Sequence, residues 1–288
     1  MNVLIVGCGY LGKRAARRWL AVGHTVTALT RSAQRAAVLE REGIAPRVGD
    51  VLAPASLSVL PAADVLLYAV GYDRAAEVSK ERVYVEGLRN VLRVAARRVG
   101  RIVYISSSSV YGQHEGEWVD EHSPTVPHSE GGRICLRAEQ VLSETLAASS
   151  CSGCLLRLTG LYGPDRLLAR LETLRQGKPL VGSPEAWLNL VHVEDAVSTV
   201  LAVAEHPTPE PIYLVTDDRP VTRGEYFSRL AALCGAPPPR FDPGQTPRHG
   251  QGLNKRCRND LLKRSLGVTL RFPTLEEGLP AAVSGRDE

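Results

Sequence analysis

Three glycines near the start of the chain stand at a spacing suited to holding phosphate. Gly7, Gly9 and Gly12 spell G-x-G-x-x-G. In such a turn the first glycine permits a tight bend and the second lets a pyrophosphate approach the backbone. The third lets the following helix pack on the preceding strand. The N–H groups that open this helix, from Tyr10, Leu11 and Gly12, then face an anion. Roughly 20 residues past the glycines, an NAD site carries an Asp or Glu for the ribose 2′-hydroxyl. This chain instead reads Ala28-Leu29-Thr30-Arg31-Ser32, with no carboxylate before Glu40. Arg31 and Ser32, with Arg14 or Arg35, suit the 2′-phosphate of NADP through charge-assisted hydrogen bonds. A solvated loop arginine is the other reading of Arg31. NADP is therefore the expected cofactor, with NAD as the alternative.

These residues need a strand before them and a helix after, and the hydrophobic pattern supplies both. Val3–Val6 is a continuous apolar run of the kind found in buried strands. Leu11, Ala15 and Trp19, flanked by Gly12, Ala16 and Leu20, then recur at four-residue spacing, which is one face of a helix. Gly23 ends it, and Thr25–Leu29 reads as a second strand. Further strands are expected at Arg47–Val48, Val65–Val70, Arg101–Ser106, Cys154–Thr159 and Ile212–Val215. Helices are expected at Ala75–Arg98, Arg133–Ala148 and Glu194–Glu205. Strands alternating with helices imply right-handed crossovers and a mostly parallel sheet covered on both faces. The fold class expected is α/β, a doubly wound Rossmann-type sheet with a small, mainly C-terminal lobe. Residues 1–163, with 188–216 returning, would form the dinucleotide-binding domain, and 164–187 with 217–288 the substrate lobe. Ala236-Pro-Pro-Pro239 reads as a stiff connector within that lobe.

Composition narrows the class. The chain has 288 residues, 44% hydrophobic and 23% charged, too apolar for a disordered protein. Its net charge of +4 is spread along the sequence, so no nucleic-acid partner is expected. The basic stretch from Asn254 to Arg264 reads as a solvated helix face, with binding of substrate phosphates or a nucleic-acid backbone as the other reading. The opening run is too short for a secretory leader, and the longest apolar stretch, Val65–Val70, is far below the roughly 20 residues of a membrane span. A cytoplasmic protein with reduced thiols is expected, as monomer or homodimer. Cys151-Ser-Gly-Cys154 is a lone pair without a second set of ligands, and no metal site is expected.

Several segments in order resemble the extended short-chain dehydrogenase/reductases of the NAD-dependent epimerase/dehydratase family. Val-Gly-Asp50-Val51 resembles the turn after the third strand, whose Asp faces adenine. Tyr68-Ala69-Val70-Gly71 resembles the strand end that lines the cofactor, and Gly87-Leu-Arg-Asn-Val-Leu92 resembles the long helix motif. Most specific is Arg101-Ile-Val-Tyr-Ile-Ser-Ser-Ser-Ser-Val-Tyr-Gly112, which matches the strand ending S-S-x-x-V-Y-G. Leu156-Arg-Leu-Thr-Gly-Leu-Tyr-Gly-Pro164 and Asn189-Leu-Val-His-Val-Glu-Asp195 resemble segments that lead into the substrate region. The resemblance implies that Ser106 borders the cofactor, that Ser107 is the serine that hydrogen-bonds the reacting oxygen, and that Asn189 faces substrate; His192 reads as a helix-entry residue, with a substrate-facing role as the other reading.

Two departures stand out. Val6 occupies the first position of the family's usual G-x-x-G-x-x-G. The catalytic Tyr-x-x-x-Lys pair is missing: counting back from Glu139 reaches Cys135 and Gly131. In the family that tyrosine moves the hydroxyl proton, and the lysine lowers its pKa. Ser107 alone is a poor general base. Tyr84 falls at the family's helix-four Asn position, which borders the catalytic group. Arg133 suits an anionic substrate or a phenol that needs its pKa lowered, so both are candidate catalytic residues beside Ser107. Tyr111, His114 and His128 are further candidates. Two readings stay open. One is an NADP(H)-dependent oxidoreductase, epimerase or dehydratase acting on a hydroxyl- or carbonyl-bearing small molecule, with nucleotide sugars as the family default. The other is a catalytically silent NADP-binding sensor or regulatory protein.

Overall fold

The computed structural model describes residues 1–73, 75, 77–166, 168–242 and 254–285. Strands β1 (Asn2–Val6), β2 (Thr25–Thr30), β3 (Ala45–Val48), β4 (Ala63–Tyr68) and β5 (Val99–Ser107) are interleaved with helices α1 (Tyr10–Ala21), α2 (Ala33–Arg41) and α3 (Gly87–Ala95). There follow β6 (Glu117–Val119), α4 (Glu130–Ala147), β7 (Ser152–Leu158), β8 (Gly160–Tyr162), α5 (Leu168–Arg175), β9 (Leu180–Val181), β10 (Trp187–Leu188), β11 (Leu190–His192) and α6 (Val193–Glu205). The chain continues through β12 (Ile212–Val215), β13 (Val221–Thr222), α7 (Arg223–Leu233), β14 (Phe241–Asp242), β15 (Lys255–Cys257), α8 (Asp260–Leu266) and α9 (Leu275–Ser284). It divides into two compact units. Met1–Ser107, Glu130–Arg157 and Val197–Tyr213 form the first, and Ser108–Ser129, Leu158–Ala196 and Leu214–Glu288 the second.

The first unit is built on a seven-stranded sheet ordered β12-β7-β5-β4-β1-β2-β3. Strands β5, β4, β1, β2 and β3 pair in parallel through that order. Leu4 and Val6 point into a cluster with Leu66, Tyr68, Ile102 and Tyr104, covered by Leu88, Val91 and Leu92 of α3 and Ile134, Ala138 and Leu142 of α4. The alternating residues Val3, Ile5, Leu67 and Val103 are equally buried, so both sheet faces are covered. Strand order reverses between β1, which leads to β2, and β4, which continues to β5. In open sheets of this kind, ligands bind at that reversal, outside the carboxyl ends of the strands.

Of the expected boundaries that move, two do so for identifiable local reasons. The fourth strand ends at Tyr68 rather than Val70: the Ala69 N–H still bonds the Val6 carbonyl at 2.8 Å, and the chain then passes against Gly7. The long helix does not begin at Ala75. Asp73 Oδ1 accepts the Ala75 N–H at 3.0 Å in a local turn, and Ser79 Oγ accepts the Arg82 N–H at 3.3 Å as a helix cap. The helix therefore starts at Lys80, and it contains a π turn at Arg82–Glu86 before α3.

Among the described residues, one charged pair lies inside this unit. Arg157 of β7 meets Glu139 of α4 at 2.8 Å and 3.1 Å, both residues nearly fully buried. Ser106 Oγ donates to the same carboxylate at 2.5 Å. The network ties α4 to the ends of β5 and β7.

The second unit packs Tyr162, Leu180, Leu190, Tyr226, Leu230, Leu275 and Leu279 around α7 and α9. Among the described residues its strands form four two-stranded ladders, including β11–β8 and β15–β6. Asp195 pins the chain before α9 by accepting the Arg271 and Phe272 N–H groups at 2.6 and 3.0 Å. The basic stretch from 254 to 264 is not one solvated helix face. It forms β15 and α8, and the Lys255 ammonium is buried, donating to the Tyr111 carbonyl at 3.0 Å. Asp217 is also buried, and burial pushes its carboxyl up to about 8, offset only in part by the Arg219 backbone N–H.

Two stability predictions follow from these buried charges. Arg157→Met leaves the Glu139 carboxylate unpaired inside the protein and should lower unfolding free energy by about 3–5 kcal/mol in urea titrations, with much of the loss recovered when Glu139 is also made apolar. The Asp217 carboxyl has a raised folded-state pKa, so its contribution is full below about pH 4 and is lost as pH rises toward 8. Asp217→Asn should match the native chain near pH 4 and exceed it in stability at pH 8, by on the order of a few kcal/mol. A pH-independent difference between the two would contradict this.

Candidate functional site

At the end of β1 the chain bends at Gly7, whose φ is +99°, a conformation that side chains rarely adopt. A Cβ on Gly7 would lie 2.4 Å from the Ala69 carbonyl carbon and 2.5 Å from the Val70 nitrogen. The backbones of the first turn and of the segment after β4 are thus in direct contact. Gly12 plays the matching part on the helix side, its Cβ position lying 2.4 Å from the Gly7 carbonyl oxygen. Gly9 differs: it is exposed, and among the described residues nothing lies within 4 Å of its Cβ position. The turn is closed beneath by its own backbone and open above at Gly9. No side chain caps α1, and its first turn holds no acidic residue. These features fit a pyrophosphate on the helix N-terminus.

Cations surround the turn. Arg35 of α2 donates to the Cys8 carbonyl at 2.9 Å, which fastens its guanidinium to the glycine turn. Arg14 donates to the Tyr10 carbonyl at 3.1 Å, with its guanidinium 4.2 Å from the Tyr10 ring centre. Arg31 stands exposed just past β2, 4.0 Å from the Asp73 carboxylate. Ser32 Oγ caps α2 by accepting the Arg35 N–H at 3.2 Å. Register places Val6 of β1 opposite Leu29 of β2 and Tyr68 of β4, so Gly7, Arg31 and Ala69 follow three adjacent strand ends.

Asp50 lies in the turn after β3, where one carboxylate oxygen accepts the Leu52 N–H at 2.9 Å. Asn90 of α3 donates to the Val51 carbonyl at 3.0 Å and fixes that turn from below. Gly71 is exposed, two residues past Ala69. Ser106 is buried, with its hydroxyl engaged by Glu139. Leu11 is buried, while Tyr10 is partly exposed beside Arg14.

The catalytic candidates in this unit lie on α4, β5 and the π turn. Ser107 is the last residue of β5 and is partly buried. Tyr84 sits in the middle of the π turn and packs against the cluster that contains Tyr68 and Tyr104. Arg133 is exposed on α4, while Cys135 is buried. At Gly131, a Cβ would stand 2.9 Å from the Lys80 ammonium. That ammonium also lies 5.2 Å from the Tyr84 ring centre. Sequence reasoning did not single out Lys80. The signal was there: it precedes Tyr84 by four residues in a helical segment, in a chain with only five lysines.

In the second unit, the Asn189 side chain bridges β15. Its amide donates to the Lys255 carbonyl at 2.9 Å, and its oxygen accepts the Cys257 N–H at 2.7 Å. His192 is 2% exposed, stacked between Tyr162 and Phe272 with ring centres 5.2 and 4.0 Å away, and it accepts the Glu194 N–H. Tyr111 is fully buried, and His114 meets His128 edge-on at 5.4 Å. Cys151 and Cys154 are buried free thiols, and burial pushes Cys154 up to about 12. Among the described residues no cluster could hold a metal, and no helix is long and apolar enough to cross a membrane.

Comparison with known proteins agrees with this geometry. The model of the NAD dependent epimerase/dehydratase family matches residues 3–215. Protein YeeZ of Escherichia coli K12 is 29% identical over 83% of this chain and 86% of its own length. The 3-diazoavenalumate denitrifying reductase of a Streptomyces species is 28% identical over 97% of this chain and 99% of its own. Among solved structures, a putative NAD-dependent epimerase/dehydratase from Methylobacillus flagellatus superposes with a TM-score of 0.78 at 30% identity, covering 98% and 97% of the two chains. A UDP-glucose 4-epimerase from Thermotoga maritima shares the fold at a TM-score of 0.83 and 20% identity, over 98% and 97%. With its glycine turn, parallel sheet and matched length, this chain belongs to the NAD-dependent epimerase/dehydratase family.

Proposed function

We propose that the first unit binds NADP(H) across the Gly7–Gly12 turn and that the protein is an oxidoreductase acting on a hydroxyl- or carbonyl-bearing small molecule. The observation that carries this reading is the turn itself: closed by backbone at Gly7 and Gly12, open at Gly9, and flanked by Arg31 and Arg35 where an NAD site would hold a carboxylate. When bound, the dinucleotide supplies or accepts a hydride. The residues of this chain orient it: the first turn of α1 holds the pyrophosphate, and Asp50 with Val51 borders the adenine. Arg31 with Ser32 meets the 2′-phosphate, and Ala69, Val70 and Gly71 line the path toward the nicotinamide. Ser107, at the end of β5, hydrogen-bonds the reacting oxygen.

Two relatives guide the choice of reaction. The Streptomyces relative is a reductase by name and matches nearly the whole of both chains, which supports reduction as the working direction. Structural neighbours with UDP-glucose or UDP-glucuronic acid bound keep a nucleotide sugar among the substrate classes to test. A second reading, a silent NADP-binding sensor, draws on the loss of the family's tyrosine and lysine at Gly131 and Cys135. Oxidation of NADPH against a panel of aldehydes, ketones and UDP-sugars separates the two, since tight binding without turnover on any of them would favour the sensor.

The cofactor assignment makes a sharper prediction. Arg31→Ala removes a charge-assisted bond to the 2′-phosphate alone, so calorimetry should show NADPH affinity falling roughly 10–100-fold with little change for NADH. Equal losses for both cofactors would contradict the role given to Arg31.

A further inference from the structure

The space left at Gly131 holds a cation from the neighbouring helix. Lys80 is partly buried, its ammonium 2.9 Å from the position a Gly131 Cβ would take and 5.2 Å from the Tyr84 ring centre. Among the described residues it forms no ion pair with a carboxylate. Its neighbours do: Glu81 pairs with Arg137 of α4 at 3.0 Å, and Arg82 with Glu86 at 3.3 Å. Tyr84, four residues on, lies in the π turn. Such turns insert one residue into a helix and are frequent at functional sites. The Tyr84 side chain packs against the cluster that holds Tyr68, the last residue of β4, and Tyr104 of β5, and Tyr68 leads into the Ala69–Val70 segment that backs onto Gly7. The tyrosine therefore stands at the carboxyl end of the sheet, beside the strand reversal where this fold binds ligands.

We propose that Lys80 and Tyr84 are the proton-relay pair of this protein, with Tyr84 exchanging the proton with the substrate oxygen and Lys80 as the positioning cation beside it. The proposal rests on the dinucleotide reading above. In the reducing direction a hydride from the reduced nicotinamide dinucleotide adds to the carbonyl carbon, and the C=O electron pair moves onto oxygen. That oxygen takes the proton of the Tyr84 hydroxyl, which yields the alcohol and the oxidised dinucleotide. The phenolate left on Tyr84 is held beside the Lys80 ammonium until water reprotonates it. Oxidation of an alcohol runs through the same groups in reverse.

Burial holds the Tyr68 and Tyr104 phenols well above their ordinary range. From α4, Cys135 lies near Tyr104, Glu139 is held by Arg157 and Ser106, Arg137 is paired with Glu81, and Arg133 is exposed.

Four variants and three readouts test the pair. Tyrosine labelled at Cζ reports phenol against phenolate by NMR without any substrate, and Tyr84→Phe identifies the Tyr84 signal. The Tyr84 transition should move to higher pH in Lys80→Met, and also in Gly131→Ala, whose methyl group displaces the ammonium without removing charge and favours the helix. An unmoved transition in Lys80→Met overturns the proposal. In NADPH-dependent reduction of an aldehyde panel, Tyr84→Phe should lower kcat roughly 10²–10⁴-fold while calorimetric NADPH affinity stays unchanged. Lys80→Arg should recover part of what Lys80→Met loses. Wild-type kcat in Tyr84→Phe would end the relay proposal and leave the dinucleotide reading standing, whereas absence of NADPH binding by the unaltered protein would end both.

Discussion

The backbone contact between Gly7 and the Ala69–Val70 segment sets the geometry of everything around it. With no side chain at position 7, the turn after β1 can lie directly on the chain leaving β4, and Gly12 then lets α1 sit down on the turn. This contact falls where the strand order reverses, so the helix N-terminus is held beside the crevice rather than above the middle of the sheet. It also ends β4 two residues before its apolar run does. A methyl group at Gly7 would collide with backbone on the far side, which has no rotamer with which to give way.

A second constraint governs the far side of the crevice. Glu139, Arg157 and Ser106 lock α4 to the ends of β5 and β7 through a charged network that only exact pairing makes tolerable in the interior. With α4 held in place, the absence of a side chain at Gly131 becomes a defined space, and the helix beginning at Lys80 fills it with an ammonium. The same glutamate that marks the position of the missing tyrosine–lysine pair in the sequence is thus the residue that anchors the helix on which that pair would have stood. Charge near the phenol is kept, but it comes from a different helix.

Much of this architecture is legible in the sequence because local signals and the global fold agree. The runs at Val3–Val6 and Thr25–Leu29, the four-residue spacing from Leu11 to Trp19, and the glycine turn between them each require the same strand–turn–helix unit. The boundaries that shift do so through contacts between distant segments, or through short-range caps that hydrophobic periodicity ignores. Ser79 and Asp73 stop the helix short of Ala75, and β4 ends at Tyr68, where the chain passes against Gly7. Lys80 was missed for a related reason: its meaning depends on Gly131, fifty-one residues away, and a helical lysine carries no such information alone. The basic stretch after Asn254 reads as a solvated helix face, yet β15 pairs with β6 and turns the Lys255 side chain inward to the Tyr111 carbonyl.

The central claim is that the turn from Gly7 to Gly12 is a dinucleotide cradle, and Gly9 offers its most direct test. Among the described residues nothing lies within 4 Å of a Cβ added there, so Gly9→Glu should still fold while placing a carboxylate where the pyrophosphate would lie. Calorimetric titration with NADPH should give saturable heat at one site per chain for the unaltered protein and none for Gly9→Glu. Equal binding by both, or no heat from the unaltered protein, would contradict the account.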